Sequence, residues 1–176
     1  MNYEEIKQLR AYARYDGIYL AIVWTASFVC FLATPLHAIF STFSSLLTLC
    51  TPFFVAYRFK VFRNEGLNGV ISFKRGYVYS IRVFMNAALL FSFLQWAYMQ
   101  FLDNGKVVGI ISSIVSLPDY DAFFASFAMS REEFIKALPE AFSPITMVST
   151  SLFYELFIGA FLSLFIAAAM MRNYKK

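Results

Sequence analysis

Histidine occurs once, at position 37, and cysteine twice, at positions 30 and 50, so the chain holds few of the side chains from which zinc sites, disulfide frameworks and thiol chemistry are built. Cys30 and Cys50 fall in different apolar blocks, without the spacing of a metal or redox motif. His37 stands beside Pro35 at a turn, where an interfacial side chain is the simpler reading than a ligand or a proton relay. No HExxH, GxSxG, CxxC or phosphate-binding glycine loop occurs, and Asp119 with Asp121 lacks the further ligands of a metal site. These absences argue against an enzyme and against a bound cofactor. Charge is scarce too: 15% of the residues are charged while 60% are hydrophobic and 20% aromatic, too apolar a mixture for a soluble domain of 176 residues. Nucleic-acid motifs are missing, and the net charge of +4 has a topological reading instead.

The apolar residues gather into four blocks of about the length that a hydrocarbon core requires. They run over about 16–34 (DGIYLAIVWTASFVCFLAT), 37–57 (HAIFSTFSSLLTLCTPFFVAY), 77–102 (YVYSIRVFMNAALLFSFLQWAYMQFL) and 145–171 (ITMVSTSLFYELFIGAFLSLFIAAAMM). The first lacks a small-x-small cleavage site and reads as a retained span, and Thr34-Pro35 makes a tight hairpin of the first two. The expected fold is all-α, a single polytopic domain of four transmembrane helices over 1–176 with lipid as its solvent. Lys7, Arg10, Arg14, Arg58, Lys60, Arg63, Lys74, Arg75, Arg172, Lys175 and Lys176 fall on one side of such a membrane, against Lys106, Arg131 and Lys136 on the other. That asymmetry puts both termini in the cytoplasm.

The inner loop, 58–76 (RFKVFRNEGLNGVISFKRG), is basic because the positive-inside bias demands it, and its charges could also meet anionic headgroups. Gly66 and Gly69 mark a turn there. The outer segment, 103–144, carries a short apolar stretch from Val107 to Leu117 that lies at the interface or packs on helix ends. A helix follows from Pro118, and another opens at SREE with Ser130 and Glu133 as a capping box. Phe123, Phe124, Phe127, Phe134 and Leu138 give this pair an apolar face.

Several stretches together resemble a known family. YDGIYLAIVWTASF opens the first span, GVISFKRGYVYSIRVFMNAALL enters the third, YMQFLDNG leaves it, and FSPITM leads into a last span ending IAAAMMRNYKK. Over almost the whole chain these are similar to domain of unknown function 4199, small four-helix inner-membrane proteins found chiefly in Bacteroidota. The resemblance implies a location, the bacterial inner (cytoplasmic) membrane, and a multi-pass topology, but no reaction.

Glu155 is the residue the spans least explain. It lies about 15 Å into the last span at 1.5 Å per residue, near the midplane, where a bare carboxylate costs roughly 3 kcal/mol or more. It should therefore face the bundle and be paired, protonated or set in a cavity. Ser151, Glu155, Gly159, Ser163 and Ala167 recur every four residues and make a small-residue helix-packing face. Arg82 in the third span is the candidate partner, with Asn86 one turn on, because two long side chains can bridge a depth difference of about 7 Å. The competing reading has Arg82 snorkel to the inner headgroups. Ser41, Ser45 and Thr48 line one face of the second span and suit packing or hydrogen bonding across helices.

The simplest function is then a non-enzymatic accessory or scaffold protein, whose spans pack on a membrane-protein partner or a second copy. The rival is a small, dimeric or monomeric proton-coupled transporter in which Glu155 takes a proton or a cationic apolar substrate among aromatic rings. The two readings part on Glu155: a bond to Arg82 favours the first, and an isolated carboxylate on a cavity favours the second.

Overall fold

The computed structural model describes residues 3–126 and 129–172. Phe127, Lys175 and Lys176 of the sequence reading lie outside the described residues. The chain forms α1 (Tyr3–Leu32), α2 (Ile39–Leu49), α3 (Thr51–Val61), a π-helical turn (Phe62–Gly66), α4 (Phe73–Phe101), α5 (Lys106–Val115), a 3-10 turn (Pro118–Tyr120), α6 (Asp121–Ser126), α7 (Arg131–Ala141) and α8 (Pro144–Met170). Among the described residues the one extended pairing is an antiparallel bridge between Ile71 and Arg172.

Local chemistry sets most of the helix starts. The Ser72 hydroxyl accepts from the Arg75 N–H at 3.4 Å and opens α4. Pro144 takes the first turn of α8, where its missing N–H costs nothing. Asn68 with Gly69 and Asn104 with Gly105 adopt positive φ, the residue types that tolerate it, and turn the chain into the approach to α4 and into α5. At α7 the capping box forms as the SREE motif predicts, with the Ser130 hydroxyl accepting from the Glu133 N–H at 3.2 Å.

Glu133 accepts in return from the Ser130 N–H at 2.9 Å, and this bond, with a second from the hydroxyl, holds its carboxyl below the ordinary value. A depressed folded value means that the cap is at full strength above the unfolded pKa and is lost as pH falls through the lowered one. Protection factors for the first α7 amides are therefore expected to drop below about pH 4, and Glu133→Gln, which removes the titrating group, should abolish the dependence, whereas Ser130→Ala, which keeps the backbone N–H, should only weaken it. Protection unchanged to about pH 2 would contradict it.

One expected span is divided. The block 37–57 is not a single helix but α2 and α3, with an axis bend of 42° at the break. Pro52 in the first turn of α3 is the cause: it offers no N–H to the Thr48 carbonyl, and its ring crowds the preceding turn. By length and composition α1, α4 and α8 can each cross a membrane alone. The pair α2 and α3, and the pair of α5 with the segment Pro118–Ser126 bent by 75°, qualify only as pairs. The chain thus carries three to five segments able to span a bilayer, as a multi-pass membrane protein does.

Helix α4 lies between α1 and α8, α2 leans on α1, and α3 packs against α8, α1 and α4. Leu9, Ala13 and Leu20 of α1, Val55 and Phe59 of α3, Val83, Phe84 and Ala87 of α4 and Ile166 of α8 form the main core. A smaller core at the opposite end from the basic loop joins Leu32, Met99, Val107 and Ile110, so α5 packs on the ends of α1 and α4. At the basic end the chain is laced together. The Gln8 amide donates to the Gly66 carbonyl at 2.9 Å, Arg63 to the Met170 carbonyl at 2.9 Å, and Arg75 lies 3.6 Å from Glu5.

Candidate functional site

Where α2 breaks into α3, the helices do not close on each other. A cavity of about 380 Å³ lies between the α2–α3 break, α1, α4 and α8, walled by Trp24, Phe28, Phe31, Phe84, Phe91 and Tyr154. Hydroxyls line one side of it. The Ser27 hydroxyl donates to the Ser44 carbonyl at 2.9 Å and lies 3.0 Å from Thr48 Oγ1, and the Trp24 indole N–H donates to Thr51 Oγ1 at 3.0 Å. Thr48 thus bonds across to α1, as expected for the second span, while Ser41 and Ser45, on the same helix α2, are exposed. Pro52 shapes the pocket as well, since it both bends the segment and lines the cavity.

Glu155 lines this cavity from α8, about 16 Å from the helix start. Its Oε2 is buried and, among the described residues, has no hydrogen-bond partner, and no Lys, Arg or His lines the cavity. The structure does not bring Arg82 to it. Gly159 presses on Phe84, where an added Cβ would stand 2.7 Å from the ring's own Cβ, so the Phe84 side of α4 faces α8. Arg82 precedes Phe84 by two residues and so projects about 200° around the helix axis from it. It heads the row of Met85, Leu89 and Phe93, all exposed on the outside of the bundle. Asn86 also turns elsewhere, donating to the Ala13 carbonyl of α1 at 3.1 Å. Along the predicted packing face, Gly159, Ser163 and Ala167 are buried, while Ser151 is half-buried.

A second polar cluster has no counterpart in the sequence reading. Asp16 of α1 is 1% exposed, accepts from Arg58 Nε of α3 at 2.6 Å through Oδ1, and accepts from the Tyr79 hydroxyl of α4 through Oδ2. The Arg58 guanidinium lies over the Tyr19 ring, 5.2 Å from its centroid, and the Tyr79 ring stacks on Phe62 at 4.6 Å. One carboxylate thus ties three helices together at the level of the basic end. A signal existed: Asp16 opens the first apolar block and Arg58 follows the second, at the same end of an antiparallel hairpin, but Arg58 enters the sequence reading only as one basic charge among many and Asp16 only as the edge of a block.

No curated protein and no solved structure matches the chain. A family model described as "Protein of unknown function (DUF4199)" matches residues 15–172, a stretch that takes in the cavity and the Asp16 cluster.

Proposed function

Since the chain belongs to that family, DUF4199, and the family brings no activity with it, we propose a function from the cavity: a small proton-coupled transporter in which Glu155 takes a proton or a monocationic, apolar amine. The observation that carries this reading is the Glu155 carboxyl on the cavity wall without a partner among the described residues. A buried carboxyl left unpaired by the protein is costly, and a proton or a cationic ligand relieves that cost. The rings of Trp24, Phe28 and Phe91 suit the apolar body and the charge of an organic cation, and the hydroxyls opposite suit a polar substituent.

In this reading the bilayer is crossed four times, by α1, by α2 with α3, by α4 and by α8. Residues 3 and 172 lie on the cytoplasmic side of a bacterial inner membrane, and α5 to α7 cap the outer face. A reporter fused after the last residue should be active only in the cytoplasm, and activity on the far side would overturn the topology. In proteoliposomes, Glu155→Gln is expected to cut uptake of a lipophilic monoamine, driven by a pH gradient, at least tenfold with an unchanged melting temperature. Uptake undiminished in that variant would remove Glu155 from the mechanism.

A second reading, the accessory or scaffold protein, has its own observation. Phe153, Phe157, Phe161 and Phe165 form an exposed ladder along α8, a surface that suits a membrane-protein partner or a homo-oligomer as well as lipid. Gentle-detergent purification from native membranes tests it. A stoichiometric companion lost when this ladder is changed to leucine would favour the scaffold, and a single species with intact uptake would favour the carrier.

A further inference from the structure

A second cavity, of about 310 Å³, opens beside the Asp16 cluster and is lined by Ala11, Tyr12, Tyr15, Asp16, Tyr19 and Arg58. We propose that it seats the phosphate of a membrane phospholipid, with Arg58 as the phosphate ligand. Asp16 takes only the Nε edge of the guanidinium, and its other oxygen is occupied by the Tyr79 hydroxyl. Nη1 and Nη2 of Arg58 are therefore left without a partner among the described residues, and neither is a buried orphan, so both are open to a ligand at the cavity. Those two nitrogens form the fork that suits two phosphate oxygens.

The fork is fixed before any ligand arrives. The buried carboxylate holds one side of the guanidinium, and the Tyr19 ring holds its face. Tyr12, Tyr15 and Tyr19 also line the cavity and can supply hydroxyl donors around the phosphate. The Asp16 charge, by itself repulsive to an anion, is matched by Arg58 and hydrogen-bonded by Tyr79.

The surroundings select a lipid over a free phosphate. From Tyr15 on, α1 presents Ile18, Tyr19 and Ile22 outward, and α3 presents Tyr57 and Phe53, both rows exposed and both leading away from the basic end toward the middle of the bundle. An acyl chain hanging from a phosphate at Arg58 would lie along these side chains, and tyrosines at this level are the residues that favour the headgroup region.

The experiment titrates the full-length protein in detergent with a short-chain phosphatidylglycerol, with diacylglycerol of the same chains, and with inorganic phosphate. Thermal midpoint and adduct retention in native mass spectrometry are the readouts. Phosphatidylglycerol is expected to raise the midpoint and to persist as a one-to-one adduct, and the other two are not. Arg58→Lys, which keeps the charge and loses the fork, should weaken the lipid at least tenfold. The double variant Tyr15→Ala/Tyr19→Ala, confined to exposed positions, should do the same and serves if Arg58→Lys does not fold. Lys60→Gln, an exposed charge outside the cavity, should change nothing. An equal shift from diacylglycerol would dispose of the phosphate, equally tight inorganic phosphate would dispose of the lipid, and full affinity in the tyrosine variant would dispose of the site.

Discussion

Asp16→Ala is expected to lower the unfolding free energy of the detergent-solubilised protein by about 3 kcal/mol, the low end for a broken buried ion pair because Arg58 keeps some access to the surface. The substitution removes the acceptor of both Arg58 and Tyr79, and Tyr79 is wholly buried, so its hydroxyl has nowhere else to turn. Asp16→Asn, which keeps an oxygen for Tyr79, should lose less. Combining Asp16→Asn with Arg58→Gln should restore part of the loss, because the second change withdraws the charge that the first left unmatched. Thermal or denaturant unfolding of the four proteins measures this, and a loss below about 1 kcal/mol for Asp16→Ala would show that the cluster is incidental to stability.

Gly17→Ala should destabilise by about 2 kcal/mol, although alanine in a helix interior ordinarily gains up to about 1 kcal/mol over glycine. The reversal comes from α4. A Cβ at position 17 would stand 2.6 Å from the Asn86 Cβ, 3.1 Å from the Val83 carbonyl oxygen and 3.3 Å from the Ala87 nitrogen. Two of those atoms are backbone, so relief requires the helices to part, and the Asn86 bond to Ala13, one turn away, is strained with them. Gly109→Ala on α5 is the control, since its Cβ would meet nothing within 4 Å, and it should be neutral or stabilising. Equal effects at the two positions would mean that α1 and α4 are not held this closely.

The features legible in the sequence are the local ones. Hydropathy blocks located α1, α4 and α8, a four-residue period gave the face of α8 that carries Gly159 and Ser163, and three residues of spacing gave the Ser130 cap. Pro52 was legible too, as a residue that cannot continue a helix, but the apolar run on both sides of it concealed the break. The rest depends on which face of one helix meets another. Arg82 and Glu155 lie at depths that allow a pair, yet depth says nothing of azimuth, and α4 turns its Phe84 side to α8. Asp16, Arg58 and Tyr79 lie 42 and 63 residues apart in pairs, beyond the reach of any helical period. Only the packed bundle brings them into one cluster.

The bridge between Ile71 and Arg172, with each residue's N–H donating to the other's carbonyl at 2.9 and 3.1 Å, bears on the order of events at the ribosome. It ties the entry to α4 to a strand of chain made about a hundred residues later, and α8, made just before that strand, supplies the wall that carries Glu155. Until α8 is made, Phe84 has no Gly159 against it. The compartment around Glu155 is therefore complete only once α8 is in place and the bridge at Ile71 has formed.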